Sequence, residues 1–246
     1  MFFYDYYFAF FGLILLCALF SGWASSKVKR TYRAFNSVPL RSNMTGYDTA
    51  VRLLRANDVH DISVNRVGGE LTDHYHPTKK VVNLSASTYG NNSVGAVAVA
   101  AHEIGHVMQK KKGYLPYKLR SALVAVTNIG SRLAMPLVLF GFLLDMFVYY
   151  GQNTSVGYYL AMLGVVCYGL STVFMLVTLP VEFNASKRAK RMLLQEGIVT
   201  AEEAEGAEQV LNAAALTYVA SLATSLVYFL RFAVWVLAVF GGRRRR

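Results

Sequence analysis

Apolar residues in this chain gather into long, nearly unbroken runs, unlike the short alternations of a soluble domain. Phe2 to Trp23, Leu133 to Tyr150 and Val156 to Leu179 each extend for about the ~20 residues that a helix rising ~1.5 Å per residue needs to cross a ~30 Å hydrocarbon layer. The uncharged segment Gly151 to Ser155 joins the second and third runs, which predicts a helical hairpin. From Gln209 to Phe240 the chain is apolar except for Arg231. That stretch reads either as one span or as two shorter helices, followed by the tail Arg243 to Arg246.

Between these runs the pattern changes period. Thr45 to Leu54 carries apolar residues at helical spacing, and Asp61 to Val67 alternates as a short strand closed by Gly68 and Gly69. Leu71 to Ser85 predicts a hairpin whose second strand is Val81 to Ser85. An exposed strand there can pair with an extended substrate, although a purely structural hairpin fits equally well. Ser93 is a good N-cap for an almost wholly apolar helix that continues through Val107, and Lys110 to Gly113 ends it. Lys187 to Glu196 predicts a basic helix stopped by Gly197, and Thr200 to Glu203 is a capping box that opens another. Pro180 offers a place for a helix to break and restart near Glu182.

Composition agrees with the pattern. The 246 residues are 54% hydrophobic and only 16% charged, which is too apolar for an ordinary soluble domain. The net charge of +11 does not point to nucleic acid, because Lys27, Lys29, Arg30 and Arg33 directly follow the first apolar run. Basic residues there set topology and touch anionic lipid. That run has no basic segment before it and carries Asp5, so it reads as an uncleaved anchor with its N-terminus outside; a cleaved signal is the alternative. Cys17 and Cys167 both fall in apolar runs, so neither a disulfide framework nor a cysteine zinc site is indicated.

The chemistry lies in the helix after Ser93. His102, Glu103 and His106 form a H-E-x-x-H motif. Residues four apart share a helix face, so both imidazoles aim at one point, where they can hold zinc. Glu103 lies ~100° around the helix, flanking that point as a general base toward water. The plainer alternative, polar residues on an ordinary helix, leaves two histidines and a glutamate to be buried without partners. The site needs a third protein ligand, and Glu182 is the carboxylate that the return of the hairpin delivers to the same membrane face. Taken alone, Glu182 reads as an interfacial residue paired with Lys187 or Arg188. His74 and His76 read first as loop histidines, but their alternation places them on one face. His74, Tyr75 and Asn83 are therefore candidates for substrate contact or for support of the ligands.

Four segments resemble the YugP-type neutral zinc metallopeptidases of bacterial membranes: residues 71 to 75, 100 to 106, 179 to 186 and 213 to 220. More distantly, Glu182 to Ser186 is similar to the Glu-Phe-x-Ala-Asp segment of the HtpX and CAAX prenyl protease families, whose Glu is the third zinc ligand. The resemblance implies that role for Glu182, and it implies that Tyr218 lies near the active site as a donor to the oxyanion. Two positions depart from the pattern. Ser186 stands where those relatives carry an Asp that orients a ligating histidine, and His76 stands where an Asp is expected.

The expectation is a mainly α, multi-pass membrane protein with a small cytosolic α+β element, a short β-hairpin or sheet beside the H-E-x-x-H helix. Its parts are an anchor (1–25), a cytosolic segment with hairpin and zinc helix (26–120) and a transmembrane hairpin (121–180). Cytosolic helices carrying the third ligand (181–208) and C-terminal apolar helices with a basic tail (209–246) complete it. The expected function is a zinc metalloendopeptidase of the inner membrane. It would hold one zinc per chain at a site facing the cytosol, and would act on membrane-associated or misfolded polypeptides. A zinc-binding scaffold or adaptor without catalysis and a small transporter are the alternatives. The expected partners are a polypeptide substrate and the lipid bilayer, without nucleic acid.

Overall fold

Helices dominate because the apolar runs have no other way to satisfy their backbone groups in lipid. The computed structural model describes residues 2–147 and 156–241. In chain order the elements are α1 (Phe2–Asn36), α2 (Gly46–Ala56), β1 (Ser63–Val67), β2 (His74–His76), β3 (Val81–Ser85) and α3 (Ala86–Tyr89). Then follow α4 (Val94–Lys111), α5 (Leu115–Phe147), α6 (Val156–Gln195) and α7 (Ala201–Gly241). Among the described residues, four helices, α1, α5, α6 and α7, are long and apolar enough to cross a membrane. The protein is therefore a mainly α, multi-pass membrane protein with one small sheet.

Local signals set several boundaries. Thr45 and Asp48 form a reciprocal capping box on α2, and Ser93 accepts from the Ala96 N–H at the start of α4. Thr200 and Glu203 cap α7 in the same way, at 2.8 and 3.2 Å. After α4 and α6, Gly113 (φ +63°) and Gly197 (φ +60°) take the left-handed conformation that lets a helix end.

Elsewhere the helices run further than the apolar pattern indicates. Helix α1 continues through the basic segment to Asn36, and α5 begins at Leu115, well before the apolar run that starts at Leu133. Pro180 does not break α6, contrary to expectation: the helix passes through it to Gln195. Val181, Glu182, Ala185 and Ala189 beyond it are all buried, and their packing holds the later turns in line against the lost hydrogen bond. The C-terminal stretch is one helix, α7, not two. The expected turn at Gly151 to Ser155, the last residues of the run ending at Tyr150, and the Arg243 to Arg246 tail lie outside the described residues.

The chain divides into two units. The first comprises residues 1–21, 119–178 and 219–246; the second comprises 22–118 and 179–218. In the first unit, small residues let α5 and α6 approach closely. A Cβ on Gly141 would meet the Gly157 carbonyl oxygen at 2.5 Å, and one on Gly164 would meet that of Ala134 at 2.6 Å. Val138, Ala161, Val165, Val236 and Phe240 form the buried centre of this unit.

The second unit has its own core, in which Leu53, Val82, Leu84, Val97, Ile104 and Leu193 are fully buried. Burial of such a side chain contributes about 1.5–3 kcal/mol. Its sheet has the order β1-β3-β2. Strand β1 runs parallel to β3, and β2 runs antiparallel to it, with His74 opposite Asn83 and Tyr75 opposite Val82. The hairpin ending at Val81 to Ser85 is present. Strand β3 is nevertheless central, so its main-chain groups are already used on both sides. The edge strands of the sheet are β1 and β2.

Candidate metal centre

Helix α4 carries His102, Glu103 and His106 along its buried length, where one face after another is apolar. Gly105 brings α6 against it: a Cβ there would stand 2.6 Å from the Ala185 carbonyl oxygen. That approach puts Glu182 beside the histidines. His102 Nε2 lies 3.2 Å from Glu182 Oε2 and His106 Nε2 lies 3.5 Å from it. One donor atom from each of the three residues falls within 4.8 Å of the other two. Two imidazole nitrogens and a carboxylate oxygen are the donor set of a catalytic zinc site with one position left open.

The tautomers fit this use. Gln109, fully buried, donates from Nε2 to the Val181 carbonyl at 2.7 Å and to Asn184 Oδ1 at 3.1 Å. A carbonyl oxygen only accepts, so the amide is oriented with Oε1 toward His106 Nδ1, 3.0 Å away. His106 Nδ1 must then carry the proton, which leaves the Nε2 lone pair facing Glu182. On the other histidine, His102 Nδ1 lies 3.2 Å from Ser186 Oγ. A hydroxyl thus occupies the place where the departure from Asp had left the orienting group in question. The residues present fit a zinc ion, with His102, His106 and Glu182 as the groups that would hold it.

Glu103 is 7% exposed. Burial pushes its carboxyl up to about 7. The charge of His102 pulls the other way, Asp73 and Glu182 add to the rise, and a hydrogen bond from the Tyr75 main-chain N–H lowers it. The carboxylate is thus held against edge strand β2. Asp73 stands on the same side, with Oδ1 accepting from the Ser85 N–H at 2.7 Å and Oδ2 buried with no hydrogen-bond partner among the described residues. Burial also pushes the Tyr75 hydroxyl up to about 12, with Tyr117 adding to it, so Tyr75 remains a donor at neutral pH. The Tyr117 ring lies 6.4 Å from that of His106.

Of the remaining candidates, His74 and Asn83 bond each other across the hairpin at 2.9 Å, and His74 Nδ1 meets the Thr72 carbonyl at 2.9 Å. Both ring nitrogens of His74 are thereby engaged in the sheet. His76 Nδ1 accepts from the Lys79 N–H at 3.2 Å and closes the hairpin turn. Tyr218 is half-buried in α7.

Sequence reading missed Gln109, Asn184 and Asp73. Gln109 was findable, since it follows His106 by three residues on the same helix face. Asn184 and Asp73 carry no spacing signal of their own.

Comparison with known proteins agrees with this chemistry. The chain is 42% identical over 212 residues to the "Putative membrane protease YugP" of Bacillus subtilis (strain 168), covering 86% of this chain and 89% of that protein. No solved structure matches it. A family described as "putative neutral zinc metallopeptidase" matches from residue 10 to residue 237, nearly the whole length, and the chain belongs to that family.

Proposed function

We propose that this protein is a zinc-dependent metalloendopeptidase that hydrolyses membrane-associated or misfolded polypeptides at the cytosolic surface of the inner membrane. The observation that carries the reading is the convergence of His102, His106 and Glu182 with the buried carboxylate of Glu103 beside them. One zinc per chain would be held by those three side chains. When bound, zinc supplies a Lewis acid that brings a water proton within reach of a carboxylate near pH ~7. Glu103 takes that proton as the water oxygen attacks the scissile carbonyl carbon. It then delivers the proton to the amide nitrogen as the C–N bond breaks.

The Tyr75 N–H aims the Glu103 carboxylate, and edge strand β2 offers the main chain against which an extended substrate can lie. A non-catalytic zinc scaffold would have no use for a carboxylate buried beside the donors. The cytosolic assignment is supported by Lys27, Lys29, Arg30 and Lys110 to Lys112, all of which belong to the unit that carries the donors.

The test combines metal analysis with cleavage of an unfolded polypeptide by detergent-purified protein. Wild type and Glu103→Gln should each hold about one zinc per chain, whereas His102→Ala and Glu182→Ala should hold little. Glu103→Gln should cleave at least about a hundredfold more slowly. Wild-type rates in Glu103→Gln, or full zinc in Glu182→Ala, would overturn the assignment.

A further inference from the structure

A polar cavity lies in the unit that carries the metal donors, between the C-terminal end of α4 and the last turns of α6. It encloses about 260 Å³, and Lys112, Arg188, Arg191 and Gln195 line it above a floor formed by Met108 and Met192. That is room for about nine waters at ~30 Å³ each. Three cationic side chains converge there, and no acidic residue is among the lining residues. Arg33, Arg41, Arg52, Lys80 and Lys190 form ion pairs elsewhere, whereas Lys112 and Arg191 form none among the described residues.

Arg188 is fixed in place. Its Nε donates to Asn184 Oδ1 at 2.7 Å, and its guanidinium lies over the Tyr114 ring, 5.9 Å from the centroid. Like charges held together without counter-charge are unfavourable unless an anion joins them, and a fixed guanidinium suits the tetrahedral oxygens of phosphate.

We infer that this cavity is a binding site for a phosphate group, borne either by an anionic lipid headgroup or by a free phosphate ion. The site is distinct from the metal donors and does not depend on the peptidase reading. It does share a hydrogen-bond network with them: the Asn184 oxygen that accepts from Arg188 also accepts from Gln109, which holds His106.

Full-length protein is titrated calorimetrically with inorganic phosphate in detergent. It is then reconstituted in bilayers of phosphatidylcholine with or without phosphatidylglycerol to measure lipid association. Saturable binding of at least one probe is expected. Affinity should weaken about tenfold in the double variant Lys112→Gln/Arg191→Gln, as loss of charge-assisted bonds implies. Both side chains are exposed, so this variant should keep wild-type zinc content and elution. Lys79→Gln, which removes an exposed charge from the β2–β3 turn, should bind like wild type.

Binding of phosphate alone assigns the site to the free ion. Preference for phosphatidylglycerol that excess phosphate competes away assigns it to lipid. The inference is overturned if wild type binds neither probe saturably, or if Lys79→Gln weakens binding as much as the double variant.

Discussion

At the scale of single residues, the site depends on groups that never touch the ion. Gln109 has both ends of its amide engaged, so its loss frees His106 to rotate and leaves the Val181 carbonyl buried without its donor. Gln109→Ala should weaken zinc binding about 10–100-fold, measured by competition with a chelator, as loss of a group that orients a ligating histidine commonly does. Gln109→Glu, which keeps an acceptor for His106 Nδ1–H, should recover part of that loss.

Glu103 gives a pH signature. Its folded value of about 7 exceeds its ordinary 4.5 because burial disfavours the charge. The folded state therefore holds a proton that the unfolded state has released between those values, and metal-free protein should lose stability as pH rises from about 4.5 toward 7. A bound cation favours the carboxylate, so zinc should move the Glu103 titration below 7. Carboxyl infrared difference spectra of zinc-loaded and metal-free protein, with Glu103→Gln as the blank, measure both positions.

His102, Glu103 and His106 were legible because a four-residue spacing on a helix is a local fact. Glu182 needed the return of a whole hairpin to bring it near. Gln109 was readable in principle, but a glutamine among apolar residues has no chemistry of its own to mark it.

Among the elements, the contact of α4 with α6 decides whether a site exists. Gly105 stands between the two histidines and has the Ala185 backbone against it, with the place of its missing Cβ 2.6 Å from a carbonyl oxygen. Backbone cannot move aside as a side-chain tip can. Gly105→Ala should therefore push the helices apart and cost about 1–3 kcal/mol, read as a lower unfolding temperature. Because the same shift separates His106 from Glu182, zinc occupancy should fall with it, whereas Gly68→Ala, in open space, should change neither.

The elements themselves were unevenly legible. Caps at Ser93 and Thr200 announced their helices because the side chain that accepts the bond is in the sequence, whereas the capping box at Thr45 emerged only in the structure. Where apolar and basic stretches meet without a cap, as at Ser25 to Asn36, nothing local says whether the helix stops, and it continues. Pro180 signalled a break that tertiary packing overrode. The hairpin of β2 and β3 could be read from turn residues. The parallel pairing of β1 with β3 could not, because its partners are separated by the whole hairpin.

For the whole molecule, the division into two units separates the chemistry from most of the apolar length. The donors His102, His106 and Glu182, with Gln109 and Ser186 beside the histidines, belong to residues 22–118 and 179–218. The buried centre formed by Val138, Val165 and Val236 belongs to the other unit. A ligand stabilises only the structure it binds, by about 4 kcal/mol when present at ~1,000 times its dissociation constant. Zinc should therefore protect one unit selectively. Removing it with a chelator should raise amide hydrogen exchange in residues 94–111 and 179–195, whose helices the ligands tie together. Exchange in residues 130–145 and 225–240 should stay unchanged, because local opening of one cooperative unit need not open another. Mass spectrometry of peptides from detergent-solubilised protein, with and without chelator, makes the comparison within one chain. Equal deprotection of both units would mean that they open as a single cooperative body, so that loss of the ion loosens the apolar helices as much as the site.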